Sequence, residues 1–266
     1  MNLKISTFNL KNDHWPLLKT HWSRRKPAVC AFFREENPDI IGTQELKYQR
    51  ILELLKTFPE YGFIGEGRQG GQLGEYCAVF YKKTKFHCIS QGTFWLSKCP
   101  HKKSRGWLAM FPRICTWATF SVLDGKLHET GEQISVFNTH LDHISPYART
   151  DGLLQITEFI NENFRNQGVI LMGDFNAKPD SRALKVIDAM SEENGIFTGS
   201  SYRGFYSTAS PNGKTYHGFH GSVVGKPMDY IFTSKEITIE RVSVVQKKYC
   251  GMYPSDHFPI VLTCKK

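Results

Sequence analysis

Val169-Ile170-Leu171-Met172-Gly173-Asp174-Phe175-Asn176 is the stretch on which the reading of this chain turns. Its four leading residues form a short β-rich apolar run without polar alternation, the pattern of a strand buried on both faces. Gly173 then frees the backbone, and Asp174 and Asn176, two positions apart, point the same way just past the strand end, where open α/β sheets place their ligands. Taken alone, Gly, Asp and Asn suit a plain turn equally well. The choice between turn and site depends on whether the rest of the chain supplies partners.

The 266 residues are enough for one large domain spanning 1–266, since no Gly/Ser-rich or Pro-rich linker, repeat or low-complexity run divides them. A formal charge of +9 favours polyanionic partners such as nucleic acid or phosphorylated headgroups. The start, Met1-Asn2-Leu3-Lys4-Ile5-Ser6, alternates apolar and polar residues, so a secretory signal is not expected, nor is a membrane span. Seven scattered cysteines without a Cys-x-x-Cys pair speak against a disulfide framework or structural zinc, and a reducing cytoplasm is the expected location. Nothing in the sequence points to a partner protein.

Outward from the opening stretch, Leu3 to Phe8 reads as a strand running into Asn9. A helix is expected from Pro27 to Asn37, then a strand from Ile40 to Glu45, ending in a carboxylate. Glu45 read blandly is a first-turn acid of the next helix, Tyr48 to Phe58. Strands follow at Phe63-Ile64, Cys77 to Tyr81, Phe86 to Leu96 and Ile114 to Val122, with Lys82-Lys83-Thr84 as a hairpin turn. Gln133 to Thr139 delivers Asn138-Thr139-His140-Leu141-Asp142-His143, in which Asn138, His140 and Asp142 share one side. An amphipathic helix from Tyr147 to Phe164 leads into the Val169 strand, and Asp180-Ser181 caps a further short helix. Gly195 to Lys226 reads as a long loop system of the kind more often functional than idle. Pro227 to Phe232 returns as a strand carrying Asp229 near its start, with Ile237 to Val245 expected to pair with it, and Pro254-Ser255-Asp256-His257 precedes the closing strand, Phe258 to Leu262.

Asn9, Glu45, His140, Asp174, Asn176, Asp229, Asp256 and His257 thus all sit beside strand edges. Their donors are mainly carboxylate and amide oxygens, and no His-Glu-x-x-His spacing is present, which favours Mg²⁺, or Mn²⁺ as its substitute, over zinc. A hard cation beside acids and histidines is equipment for phosphoester hydrolysis.

Asn9, Gln44-Glu45, Asn138-Thr139-His140, Gly173-Asp174-Phe175-Asn176, Met228-Asp229-Tyr230-Ile231 and Ser255-Asp256-His257, in this order, resemble the endonuclease/exonuclease/phosphatase superfamily, whose fold is that of pancreatic deoxyribonuclease. The resemblance implies an α/β (α+β) four-layered sandwich, two mixed β-sheets packed face to face with helices outside. It implies Glu45 as the principal metal ligand with Asp256 near the same ion, and Asp174 aligning the attacking water. Asn9, Asn176 and His140 would hold phosphoryl oxygens, and Asp229 would fix the tautomer of His257; the resemblance assigns that pair and not a single proton path. Apurinic endonucleases carry an acid two residues after the first Asn, where this chain has Lys11, so that branch is disfavoured and the number of metals, one or two, stays open. The Asn-Thr-His-Leu-Asp-His form looks most like bacterial members near the deadenylase and nocturnin catalytic domains.

That leaves phosphoesters at nucleic acid or nucleotide ends as the favoured substrate, with a small-molecule phosphatase as the alternative and a non-catalytic nucleic-acid-binding relative a more distant third. Arg113 is a candidate phosphate contact. Lys102, Lys103 and Trp107 on one loop, and Tyr202, Phe205, Tyr216, His217, Phe219 and His220 on another, interleave cations and aromatics as single-stranded nucleic acid requires. Trp107 and Phe219 packing under their own loops is the equally simple alternative.

Overall fold

The structure is a computed structural model, and it describes residues 2–13, 20–165, 167–194, 199–200 and 213–266. β1 (Asn2–Asn9) and β2 (Ile40–Lys47) lie parallel, joined by the crossover helix α1 (Trp22–Glu36). The same unit recurs where β7 (Glu129–His140) and β8 (Gly168–Asp174) pair in parallel across α3 (Pro146–Asn163). Around the first unit lie β3 (Tyr61–Ile64), β4 (Glu75–Lys82), β11 (Thr238–Val244) and β12 (Ile260–Lys265). Around the second lie β5 (Phe86–Trp95), β6 (Ile114–Leu123), β9 (Gly199–Ser200) and β10 (Asp229–Thr233). The two six-stranded sheets have the orders β11-β12-β1-β2-β4-β3 and β5-β6-β7-β8-β10-β9. Each is mixed, as expected.

Side-chain alternation explains the layers. Along β8, Ile170 and Met172 enter the core between the sheets, while Val169 and Leu171 face the helices, so every apolar residue of the run is buried. The inter-sheet core joins Leu3, Ile5, Val79, Phe120, Val136 and Ile231. Outside the first sheet, α1 and α2 (Tyr48–Thr57) pack Phe32, Phe33, Ile51 and Leu54 onto Phe8 and Phe80. Outside the second, α3 and α4 (Arg182–Asn194) pack Leu153, Ile156, Ala183 and Leu184 onto Phe137 and Leu171. Each fully buried Leu, Ile or Phe of these layers contributes about 1.5–3 kcal/mol of transfer free energy.

One polar stitch crosses the apolar seam. Asn138 on β7 donates from Nδ2 to the Thr43 and Ala78 carbonyls of the opposite sheet, at 3.0 and 2.9 Å, and its Oδ1 accepts from Gln44 Nε2 at 2.7 Å. Gly42 makes the approach possible, because a Cβ there would meet Met172 Cε at 2.8 Å and Asn138 Cγ at 2.9 Å.

Several boundaries differ from the sequence expectation. α1 opens at Trp22, not Pro27, because the His21 side chain caps it by accepting from Ser23 N, and Pro27 lies within the helix. Residues 83–85 do turn the chain, but not as a hairpin: β4 belongs to the first sheet and β5 to the second, so the turn is where the chain changes layer. β11 pairs with β12 in the first sheet and not with β10, which lies between β8 and β9. β2 continues past Glu45 to Lys47, and the first turn of α2 holds no acid, so the helix-dipole reading of Glu45 fails. Tyr202 and Phe205 lie outside the described residues.

Candidate active site

Register builds the site. His140 on β7 and Asp229 on β10 are each paired with Asp174 on β8, so the three side chains stand in a row across adjacent strands. Gly173, with φ +148°, lets β8 pass β7: a Cβ there would come within 2.0 Å of the Thr139 carbonyl oxygen. From the facing sheet come Asn9, at the end of β1, and Glu45. Glu45 adopts φ 67° at a bulge where the β2–β4 register shifts between Gln44 and Leu46. Left-handed backbone at a non-glycine residue is strained, and bulges re-aim side chains, here onto the pocket wall. Lys11 (φ 54°) and Asn176 (φ 47°) line the same pocket with the same unusual conformation.

These residues are joined by contacts. Asp229 Oδ2 lies 2.9 Å from His257 Nδ1, and His257 Nε2 lies 3.7 Å from Asp174 Oδ2. His140 Nε2 is 3.6 Å from the same oxygen. Asn9 Nδ2 donates to Asp174 Oδ2 and to Glu45 Oε1, each at 2.9 Å. The result is one line, Asp229, His257, Asp174, Asn9, Glu45, running from one sheet to the other. Because both amide hydrogens of Asn9 are engaged and the residue is fully buried, it ties Asp174 to Glu45 and has no donor left for a phosphoryl oxygen. Asn176 donates its backbone N–H to Asp174 Oδ1 at 2.9 Å and lines the pocket.

Burial and neighbours set the charges. Burial lowers the His257 pKa, but Asp229 and Asp174 outweigh it and raise the ring to about 10. Burial, then the Asp229 charge, raises Asp174 to about 7, against the lowering pull of His257 and the Asn9 and Asn176 hydrogen bonds. His140 is held well below its ordinary value by burial and by the Arg113 and Arg68 charges, so it is neutral.

Among the described residues, Asp174, Asp229 and His257 bring possible ligand atoms within 4.8 Å of one another. His257 Nδ1 is already engaged by Asp229 Oδ2 at 2.9 Å, however, and the neighbouring acids favour the charged ring, so this trio suits a proton relay better than a metal cage. Glu45 and Asp256 are the better fit for a cation. Both line the pocket of about 580 Å³, and the Lys11 ammonium sits 2.9 Å from Asp256 Oδ2. Burial depresses the Lys11 pKa, but Asp256 and then Glu45 outweigh it, so the two carboxylates already field a positive charge together. Oxygen donors of this kind suit a hard divalent ion.

Arg113 also lines the pocket, with Nε 3.4 Å from Asp142 Oδ2 and a terminal nitrogen donating to His143 Nδ1 at 2.9 Å. Asp142 itself accepts from the Ile144 and Ser145 amides and so shapes the turn after β7. Of the remaining sequence candidates, Tyr216 lines this pocket with its ring 5.1 Å from that of His257, whereas Trp107, Lys102, Lys103 and Phe219 lie off this wall. Trp107 is half-buried against the α3 side of the second sheet, and Lys102 and Lys103 are exposed on the loop before it. Phe219 lines a separate depression, beneath the Arg25 guanidinium at 5.9 Å. Lys47, Arg68, Gln69, Glu75 and Phe111, by contrast, line the catalytic pocket and were not singled out from sequence. The signal available was the glycine-dense loop Gly65 to Gly74 feeding β4, which brings its backbone against the site.

A four-layered sandwich whose facing sheet ends join buried acids, amides and histidines in one pocket defines a phosphoester hydrolase. Residues 6–257 match the Endonuclease/Exonuclease/phosphatase family, and the chain belongs to it. It is 30% identical to the mannosyl-6-phosphatase of Bacteroides thetaiotaomicron VPI-5482, covering 99% of this chain and 100% of that one with a TM-score of 0.88. The human nocturnin catalytic domain shares the fold at 18% identity and TM-score 0.73, over 99% of this chain and 93% of that one. The CCR4-Not complex 3'-5'-exoribonuclease subunit Ccr4 of Candida albicans is 24% identical over 70% of this chain, which spans only 28% of that relative's length. Among the described residues no helix is long and apolar enough to cross a membrane, and the seven cysteines are free thiols.

Proposed function

We propose that this chain hydrolyses phosphate esters with the aid of Mg²⁺, for which Mn²⁺ can substitute, held at Glu45 and Asp256. When bound, the ion would neutralise phosphoryl charge as a Lewis acid. The observation that carries the reading is the continuous line from Asp229 through His257, Asp174 and Asn9 to Glu45. Asp174, poised at about 7, orients the attacking water and takes its proton as the water oxygen bonds to phosphorus. His257, protonated until about 10, cannot accept that proton at neutral pH, and instead donates from Nε2 to the charge that develops on phosphorus and the leaving oxygen. Asp229 keeps its ring charged and oriented. Neutral His140 donates to a phosphoryl oxygen beside Asn176, and Asn9 positions Asp174 against the metal carboxylate.

The whole-length likeness to a mannosyl-6-phosphatase supports a small phosphate monoester as substrate. The charge of +9 and the likeness to an exoribonuclease support a second reading, a phosphodiester at a nucleic acid end, in which exposed Lys102 and Lys103, with Trp107 and Phe219, guide a longer strand. A panel of phenyl phosphate, sugar phosphates, nucleotides, polyadenylate and single-stranded DNA, run with Mg²⁺, Mn²⁺ and a chelator, tests both. Turnover that is abolished by chelation and reduced roughly 10² or more by Asp174→Asn is expected, the usual scale for losing a positioned base. Equal turnover by the parent and Asp174→Asn, or turnover insensitive to chelator, overturns it.

A further inference from the structure

The pocket wall that faces the catalytic row is built from the loop before β4 and from the turn before β6. Arg68 donates to Glu75 Oε2 at 2.8 Å, with side chains only 14% and 13% exposed. The other oxygen of Glu75 accepts from Asn12 Nδ2 at 2.8 Å, while the Asn12 backbone N–H holds Glu45 Oε2 at 2.7 Å. The Arg68 guanidinium lies over the Phe111 ring at 4.9 Å, and Phe111 lies parallel to His143 at 6.3 Å and 15°. Arg68 Nε is buried without a partner in the protein.

Three features restrict what such a wall can recognise. Arg68 and Glu75 neutralise each other, so a second phosphate gains no uncompensated positive charge from this pair, and Lys47, opposite Glu75 in the β2–β4 register, is a further cation of the pocket. Phe111 is 37% exposed, but the Arg68 guanidinium already lies over its ring at 4.9 Å, so a nucleobase stacking there competes with that cation. What remains is a rigid donor and acceptor side by side, the complement of hydroxyl groups, each of which donates and accepts. The Asn12 link fixes this pair relative to Glu45, so a hydroxyl on the leaving group is read at a set distance from the reacting phosphate.

We propose that Arg68 and Glu75, positioned by Asn12 and Phe111, form a leaving-group subsite for a polyhydroxylated alcohol, which makes the substrate class sugar or polyol monophosphates. The proposal rests on the phosphoester reading above. Among the described residues that line the pocket, no other pair of this kind lies away from the catalytic row.

The test compares hexose 6-phosphate, a nucleoside 5′-monophosphate and phenyl phosphate, which carries no hydroxyl, in the parent and in Glu75→Gln and Arg68→Met. The parent should prefer hexose 6-phosphate over phenyl phosphate in kcat/KM, and Glu75→Gln should reduce that ratio about tenfold or more, since a site built to bond a hydroxyl loses most when its partner is changed. Calorimetry on Asp174→Asn, with and without Glu75→Gln, reads the same preference as binding of the uncleaved esters, and circular dichroism checks that each variant is folded. A parent that prefers the nucleotide or phenyl phosphate, or variants that leave the ratio and the binding difference unchanged, overturns the subsite. A parent that cleaves polyadenylate or single-stranded DNA but none of the three monoesters with metal present overturns the subsite and leaves the phosphodiester reading standing, whereas one that cleaves none of these substrates refutes the phosphoester reading itself. If Glu75→Gln does not fold, the Arg68→Met ratio and its binding difference decide.

Discussion

At the residue scale, Asp229 acts on two neighbours in the same direction, which yields a signed prediction. Its charge raises both Asp174 and His257. Activity should rise with pH as Asp174 ionises through about 7 and fall as His257 loses its proton near 10. Asp229→Asn removes the shared source, so both limbs of the kcat/KM profile should move to lower pH while kcat falls by roughly 10² or more. A profile in which only one limb moves would show that the two groups are set independently. His257→Ala combined with Asp229→Asn should be little worse than the more damaging single change, because members of one relay are not additive. Glu45→Gln keeps the bulge and the Asn9 contact but removes the charge; Mg²⁺ affinity by calorimetric titration should fall together with turnover, and an unchanged affinity would take Glu45 out of the cation site.

At the scale of elements, strand termini were legible because buried apolar runs stop at polar residues, and six such stops named the row of His140, Asp174, Asp229, His257, Asn9 and Glu45. Which sheet a strand joins was not legible. Periodicity reports that Phe86 to Trp95 and Thr238 to Val244 are extended, but it is silent on partners, so the layer change at residues 83–85 and the β11–β12 pairing had no local signature. The bulge at Glu45 was hidden for a similar reason, since a left-handed glutamate depends on the register of β4 opposite. Arg68 and Glu75 were missed because the residue that ties their pair to the site, Asn12, which bonds Glu75, is 63 residues from it in sequence. The loop preceding β6 gives a test of the longer-substrate reading. Lys102→Ala with Lys103→Ala should weaken oligonucleotide binding and flatten its salt dependence if strands cross this exposed loop. Identical salt slopes would exclude the loop from any substrate path.

At the scale of the whole molecule, the facing sheets are both the stable core and the means of assembling the site, and Asn138 belongs to both. Its three hydrogen bonds span the seam. Asn138→Ala would remove these three hydrogen bonds from a dry interior, but Gln44 Nε2 keeps Thr7 Oγ1 and Gly42 O and the Ala78 carbonyl keeps Thr43 Oγ1, so the cost is about 1–3 kcal/mol. The urea midpoint should drop without a change in slope, and a midpoint within error of the parent would mean that the seam closes without this stitch.

The pairing of β1 with β12 has a consequence for how the protein is made. β1 lies between β2 and β12, with Thr7 opposite Ile260 and Asn2 opposite Lys265. A ribosome extrudes β1 first and β12 more than two hundred residues later, an interval of roughly 10–50 s at ordinary elongation rates of about 5–20 residues per second. Throughout that time one edge of β1 is open to any strand that meets it, in the crowded space where nascent chains aggregate. Asp256 and His257 emerge just ahead of β12, so the pocket they line is completed only as β12 takes its place beside β1, at the end of the same interval in which that edge lies open.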